Sequence, residues 1–484
     1  MTHYERLTGL DQSFLDIEGP SSHMHVAFIG TYQAAPLRGS DGAIDLDRLM
    51  AYVESRLHRI PRYRQRIERT PFEGCPVWVD DESFNLRYHL RHTGLPAPGD
   101  ERQLKRLCGR ILSQKLDRHK PLWEMWLVEG LEGDRLAVIT KTHHCMVDGA
   151  SGTHLLLELL STSPEPAIEE APPWRPEHPP SRLELIQKAI EHRIQRPLAA
   201  LRRTARAAYE HPGETIERVT ATASAARHAL EAWARTSSPT PFNRPIGPHR
   251  RLDWLRMDLR EIKRSKQALG GTVNDIILAI VGGAIGRYFR SLGSSQADLE
   301  AMRFRVFCPV SMRHQDESGD WGNRVVMVVT DLPIHLEDPV ERLAVVRRNM
   351  DEIKASHQAE GADLAVTLGE WSSPTMVAWA VQASYERLPA NMLVTNVPGP
   401  QVPLYLLGSR MLEAYPVVPL YRNHALGIAL FSYDGGIFFG FNSDWDALPD
   451  LHDLIVHTLE VRRAFSAAAT QAAPTAHEGA RGGA

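Results

Sequence analysis

Apolar positions along the chain follow two rhythms. Short apolar runs bounded by turn residues predict strands over 136–142, 305–310, 325–330 and 392–396. The runs 426–432 and 437–442 flank Tyr433-Asp434-Gly435-Gly436, and two β-prone runs around Asp-Gly predict a hairpin. Spacing of three to four residues predicts helices over 46–57, 101–114, 152–160, 273–289 and 340–357. Strands and helices alternate within both 1–160 and 248–466, so the class is mixed α/β.

Four regions separate by texture. Residues 1–160 read as a first globular unit and 248–466 as a second. Between them, 161–180 is rich in Pro and Glu and predicts a linker. From there to 247 the pattern changes again. Leu183, Ile186, Ile190, Ile194, Leu198 and Leu201 form an apolar stripe of helical period, which Pro197 should kink. Residues 181–235 hold ten Lys and Arg against six Asp and Glu. Such a basic amphipathic segment either packs between domains or lies on an anionic membrane. The tail 467–484 is small and polar and predicts disorder. The longest apolar run, about 276–285, is too short for a spanning helix, and no apolar segment follows the N-terminus as in a signal peptide. The expected location is cytoplasmic.

Composition narrows the function only by exclusion. Hydrophobic residues are 43% and charged residues 24%, which is globular and not fibrous or disordered. The net charge of −4 gives no support for nucleic-acid binding. The four cysteines, at 75, 108, 145 and 308, form no C-x-x-C pair and no disulfide framework.

The chemistry concentrates in one heptapeptide, His143-His144-Cys145-Met146-Val147-Asp148-Gly149. It lies between a predicted strand and a predicted helix, on the kind of loop that carries catalytic side chains. An imidazole titrates near neutrality and can take a proton from an alcohol and return it to a leaving group. Neighbouring side chains diverge, so one histidine faces substrate while the other packs. A metal site needs a third ligand that the local sequence does not supply. A Cys145 nucleophile needs an activated thiol, and nothing nearby marks it as one. Two buried histidines beside a turn remain the structural alternative.

His143-His144-x-x-x-Asp148-Gly149 resembles the HHxxxDG motif shared by chloramphenicol acetyltransferase and peptide-synthetase condensation domains. Other segments resemble bacterial wax ester synthase/diacylglycerol acyltransferases: Leu10-Asp11-x-Ser13-Phe14, Pro121-Leu122-Trp123-Glu124, Asn243 to Pro248, Thr272-Val273-Asn274-Asp275, and Thr395-Asn396-Val397-Pro398-Gly399-Pro400. The matches occur in order along nearly the whole chain.

The resemblance implies two chloramphenicol-acetyltransferase-like halves joined by a long, partly helical crossover, with the active site in a tunnel at their interface. It implies an acyltransferase that esterifies diacylglycerol or a long-chain fatty alcohol from long-chain acyl-CoA, working at a membrane or lipid-inclusion surface without a metal or cofactor. It gives His144 the general-base role, His143, Asp148 and Gly149 the shaping of the loop, and Asn274 an oxyanion contact. Asp275 either contacts substrate or caps a helix, and Trp123 either packs or contacts substrate. Arg313, in Pro309-Val310-Ser311-Met312-Arg313, is a candidate partner for a phosphate or carboxylate. Cys145 stands where a small residue such as Ala or Ser is expected, and is similar in size. The rival reading is a condensation-type enzyme using a carrier-bound acyl donor.

Overall fold

Each strand-rich stretch builds a six-stranded mixed sheet, the first also has a separate three-stranded sheet, and the second stretch lends strands to the six-stranded sheet of the first. The computed structural model describes residues 4–71, 74–146, 158–165, 168–178, 181, 183–185, 235–311, 325–355 and 389–472.

The first stretch holds β1 (Glu5–Arg6), α1 (Gly9–Ile17), β2 (His25–Gln33), α2 (Leu46–Arg56), β3 (Gln65–Arg69), β4 (Pro76–Asp80), α3 (Leu86–His89), β5 (Leu90–Gly94), α4 (Glu101–Leu112), β6 (Trp123–Leu131) and β7 (Arg135–His143). The second holds β8 (Arg250–Asp258), α5 (Leu259–Leu269), α6 (Val273–Ser291), α7 (Gln296–Ala301), β9 (Arg305–Ser311), β10 (Val325–Asp331) and α8 (Pro339–Ala355). It continues with β11 (Met392–Pro398), β12 (Tyr405–Leu406), β13 (Ser409–Val417), β14 (Leu426–Tyr433), β15 (Gly436–Asp444) and α9 (Leu451–Ala472). The first sheet runs β12-β13-β2-β7-β6-β5 and the second β10-β9-β11-β14-β15-β8.

β7 is interior to its sheet, and its side chains are buried on both faces, as a central strand requires. It pairs antiparallel with β2, which sets His143 opposite His25, and with β6, which sets Thr142 opposite Trp123. In the second half α6 is buried almost throughout, between α5, α8 and α9. The run Ile276-Ile277-Leu278-Ala279-Ile280-Val281 is apolar on every side for that reason. The predicted hairpin is present: β14 pairs antiparallel with β15 across Asp434 and Gly435, with φ of 41° and 77°.

Several expected boundaries move. β12 and β13, which the sequence places in the second half, complete the sheet of the first: Tyr415 pairs with Ile29 and Val417 with Ala27. A partner strand nearly 400 residues away leaves no local signature. The segment 161–178 is not a free linker. Ser161 bridges to Tyr405, Glu169 pairs with Arg59, and Trp174 packs against Phe84 under the Arg64 guanidinium. The second core begins before residue 248, because Phe242 is wholly buried in it and Asn243 donates to the carbonyls of Asn391 and Asn423. At the other end α9 continues through Ala472, so 467–472 is helix, as its Ala-rich sequence permits. Of the crossover stripe only Leu183 is described, and it is exposed; Leu185 is the residue that packs, against Val77 and Val79. The rest of the stripe and residues 152–157 of the helix predicted over 152–160 lie outside the described residues.

No single helix among the described residues is long and apolar enough to cross a membrane. α5 and α6 pass together on length and composition, but they meet at 98° and α6 is buried in the second core.

Candidate active site

β7 carries the two histidines to the point where it leaves the sheet. The His143 backbone N–H still donates to the Leu122 carbonyl at 2.9 Å, and the next N–H, of His144, turns to the Met24 carbonyl at 2.8 Å. Met24 holds φ at 48°, a left-handed conformation that a long side chain rarely adopts. Its carbonyl takes the backbone of His144 on the far side of the strand end. Leu122 and Trp123 therefore act as the neighbouring strand that holds the histidine loop.

The side chains of the pair diverge, as expected. His143 is buried; its Nδ1 accepts the Cys145 N–H at 3.2 Å, which leaves the proton of the neutral ring on Nε2. That nitrogen lies 4.0 Å from Glu18 Oε2. Burial first, and then Arg118 and His144, pushes the His143 pKa down to about 3. The contact with Glu18 is therefore between a neutral N–H and a carboxylate, not an ion pair at neutral pH. Arg118 closes the arrangement: its Nε donates to Glu18 at 2.7 Å and a terminal nitrogen donates to the Leu15 carbonyl at 2.8 Å. Glu18 and Arg118 thus form a charged pair beside His143 without a hydrogen bond to its ring, and sequence reasoning missed both, because each lies more than 20 residues from the motif with no spacing to mark it.

His144 keeps some exposure, and its ring lies over Phe14 with centroids 4.0 Å apart. Phe14 comes from α1, whose start is fixed by Thr8 Oγ1 accepting the Asp11 N–H at 3.1 Å. The opening motif thus supplies the apolar floor of the histidine. Desolvation pushes the His144 pKa down to about 4, and its Nδ1 is buried without a partner among the described residues. The ring is neutral at pH 7. Cys145 is buried beside it and burial raises its thiol pKa well above the usual value, so the thiol stays protonated and is a poor nucleophile.

Further buried polar groups line the base of the loop. His25 faces His143 edge-on with centroids 6.1 Å apart, and His23 lies 5.6 Å from His25. Burial lowers both pKa values, that of His25 strongly. Lys141, two residues before His143, donates its Nζ to the carbonyls of Ile111 at 3.1 Å and Gln114 at 2.5 Å. It thereby ties the C-terminal end of α4 to β7. Desolvation holds its pKa near 8. Among the described residues no group of three or more His, Cys, Asp or Glu side chains is placed to hold a metal ion.

The remaining candidates separate. Trp123 is a packing residue: its ring stacks between Tyr63 and His89, at 4.2 and 4.7 Å, and its indole N–H donates to the Tyr63 carbonyl. It makes no wall of the site. Asp275 is a cap: its carboxylate accepts the Thr272 N–H at 2.8 Å while Thr272 Oγ1 accepts the Asp275 N–H at 3.1 Å, a reciprocal capping box for α6. Buried and engaged there, it fits the capping reading. Asn274 sits one residue earlier, half-buried, and its side-chain amide meets Cys308 on β9. Among the described residues no hydrogen bond joins it to either histidine. Asp148, Gly149 and Arg313 lie outside the described residues.

The halves meet beside this loop. Phe28 of β2 contacts Phe431 of β14 edge-on at 5.4 Å, and Trp254 of β8 stacks on Tyr415 of β13 at 4.9 Å. Gly399 of the Asn396-Val397-Pro398-Gly399-Pro400 turn must lack a side chain, since a Cβ there would lie 2.2 Å from the Phe431 ring. A narrow hollow at the seam is lined by His23, Met24, His25, Leu112, Arg250 and Asn442, among others.

Comparison with known proteins agrees with this geometry. The family model for the wax ester synthase/diacylglycerol acyltransferase catalytic domain matches residues 7–277, and that for the WS/DGAT C-terminal domain matches residues 321–462. A putative diacylglycerol O-acyltransferase of Mycobacterium tuberculosis is 33% identical over 455 residues, covering 92% of this chain and 87% of the relative. A solved wax ester synthase/diacylglycerol acyltransferase from Marinobacter aquaeolei VT8 shares the fold at a TM-score of 0.66 and 24% identity, covering 96% of this chain and 100% of that one. The starter condensation domain of rhizomide synthetase, in complex with C8-CoA and Leu-SNAC, shares it more distantly, at a TM-score of 0.58 and 13% identity over 97% of this chain and 95% of that one. The chain belongs to the wax ester synthase/diacylglycerol acyltransferase family and is an acyltransferase.

Proposed function

We propose that the protein transfers a long-chain acyl group from acyl-CoA to the hydroxyl of diacylglycerol or of a long-chain fatty alcohol, with His144 as the general base. The observation that carries this reading is the setting of His144: backbone fixed to Met24, ring on the apolar floor of Phe14, and a pKa near 4 that keeps it free of a proton at neutral pH. Burial that keeps the ring neutral also makes it a weak base. The hydroxyl proton therefore moves to His144 as the oxygen–carbonyl bond forms, not before it. The tetrahedral intermediate then collapses, the carbon–sulfur bond breaks, and the imidazolium returns its proton to the departing thiolate. The products are the ester and free coenzyme A.

Asn274, near the N-terminal end of α6, is the donor assigned to the developing oxyanion, a contact worth about 3 kcal/mol in comparable sites. His143 positions the loop through its hydrogen bond from the Cys145 N–H and does not touch the reacting atoms. Acceptor and product are nearly insoluble in water, so the enzyme works at the surface of a membrane or lipid inclusion, reached from the cytoplasm.

The test is turnover of purified His144→Ala with palmitoyl-CoA and either dioleoylglycerol or hexadecanol, read as released thiol. Loss of a general base lowers turnover by about 10²- to 10⁴-fold, with the thermal midpoint retained. Near-wild-type turnover in the folded variant would remove His144 from the chemistry.

A further inference from the structure

His144 is held by a ring of hydrogen bonds that leaves the first half and returns to it. The ring starts on β7, where Lys141 Nζ donates to the carbonyls of Ile111 at 3.1 Å and Gln114 at 2.5 Å. Those two residues flank Ser113, the C-cap of α4. Ser113 Oγ donates to the Gly109 carbonyl at 2.7 Å and accepts the Arg250 N–H at 2.9 Å. The Arg250 guanidinium in turn donates to the Ser21 carbonyl. A few residues on, the Met24 carbonyl accepts the His144 N–H at 2.8 Å, and the ring is closed just beyond Lys141. Every member belongs to the first half except Arg250, which opens β8 of the second.

Arg250 is fixed on both sides. Gly109 of α4 faces its carbonyl so closely that a Cβ there would lie 2.7 Å away, and β15 pairs with β8 so that Asp444 stands opposite it. The side chain is buried, and its other terminal nitrogen donates to the carbonyls of Gly247 at 2.8 Å and His249 at 3.1 Å. Burial lowers its pKa to about 10, which leaves the guanidinium charged at neutral pH. A planar fork can hold carbonyls of two separate segments at once, which a single ammonium does poorly.

The segment that it grips is a compact turn. The Gly19 N–H donates to the Ser22 carbonyl at 2.9 Å, and His23 Nε2 lies 3.0 Å from the Pro20 carbonyl. A second contact from the other half lies beside the first, the Arg422 N–H donating to Ser22 Oγ at 3.1 Å. Met24 ends the turn at a φ of 48°, which its surroundings must impose, since the residue does not favour it. The His144 backbone fixes where its imidazole starts, and a misplacement of about 1 Å costs on the order of 10²-fold in rate. We propose that Arg250 is a positioning residue of the transfer reaction: from the second half it sets, through Ser21 and Met24, the backbone of the histidine in the first. The proposal rests on the reading of His144 as the base and adds what holds that base in place. The base is in register only while the two halves are seated on each other.

The experiment uses the full chain with Arg250→Met, and with Arg250→Lys as a milder change that keeps the charge and one donor should the first variant fold poorly. Residue-resolved hydrogen exchange follows the His144 amide, with the Ile139 amide in the middle of β7 as reference. Steady-state kinetics with palmitoyl-CoA and hexadecanol separate kcat from KM. Exchange at His144 rises by about tenfold or more while Ile139 is unchanged, and kcat falls by about tenfold or more with KM within about twofold of wild type. Arg250→Lys shows both effects at smaller size. The control is Lys105→Met, which breaks another contact across the same joint, Lys105 to Asp253 at 2.5 Å, outside the ring. It leaves exchange at His144 as in the wild type. Folded Arg250 variants with unchanged His144 exchange and unchanged kcat would overturn the proposal, leaving Arg250 as an ordinary contact between the halves. Equal loosening of His144 in Lys105→Met would overturn it too, because any weakening of the joint would then do the same. A raised KM with unchanged exchange would make Arg250 a substrate contact instead. If exchange responds as expected but His144→Ala turns over like the wild type, the grip on the backbone stands and the general-base reading falls.

Discussion

The two halves share an architecture and differ in what they bury. Beneath the end of β7 the first half encloses His23, His25, Lys141, His143 and the Glu18 carboxylate, all nearly out of contact with water. The corresponding centre of the second half is α6, buried almost entirely and apolar from Ile276 to Ile285, with its one buried carboxylate, Asp275, spent on its own cap. Burying unpaired polar groups is costly, while burying apolar ones is favourable. The first half thus gathers its buried polar groups around the base, and the second braces it through β13 in its sheet and the Phe28–Phe431 contact.

That asymmetry can be broken deliberately. The largest effect is expected from placing a carboxylate in the apolar run of α6. Ile280→Asp buries an unpaired carboxylate in the middle of α6 and should cost more than about 4 kcal/mol, read as loss of soluble, cooperatively folding protein. A stable variant would mean that α6 does not sit in the rigid core.

Acid should act on the first half. His143 and His144 are held near 3 and 4, and His25 is also held low, by burial. A depressed pKa means that the unfolded chain binds protons that the folded one refuses. The stability from these groups is complete above about pH 6.5 and is lost as pH falls toward 4. Urea midpoints should drop over that window by an amount on the order of a few kcal/mol, and His25→Gln should flatten the slope. A flat profile from pH 7 to 4.5 would show that the histidines are solvated.

Lys141→Met tests whether a buried cation can be traded for an apolar chain. It strips the Ile111 and Gln114 carbonyls of their donor and should cost about 2 kcal/mol, measured by urea unfolding. No loss would show that α4 is held by other contacts. The smallest effect belongs to the cap: Asp275→Ala should cost about 1 kcal/mol and leave KM for donor and acceptor unchanged. A tenfold rise in either KM would restore Asp275 as a substrate contact.

What the sequence revealed divides along similar lines. The α6 helix and the β14–β15 hairpin were legible because their causes are local: a capping box with a long apolar run, and an Asp-Gly turn between β-prone strands. The histidine pair was legible through its spacing to Asp148 and Gly149 and through the ordered motifs around it. The settings of those motifs were not. Trp123 and Asp275 look equally suited to substrate or to packing until Tyr63 and Thr272 are seen beside them. Phe14, Glu18, His25 and Arg118 converge on the histidines from positions between 25 and 130 residues away, through strand pairing and helix docking that leave no periodicity. β13 escaped for the same reason, its partner strand being β2.

The central claim is that burial in the first half keeps His144 proton-free and ready at neutral pH. The dependence of kcat/KM on pH for palmitoyl-CoA tests it most directly, with tryptophan fluorescence recorded alongside so that only folded enzyme is counted. The acidic limb should fall with an apparent pKa near 4, the value to which desolvation brings His144. A limb centred at about 6.5, the value of an exposed imidazole, would contradict the account, because the histidine that does the work would then be one that water can reach freely.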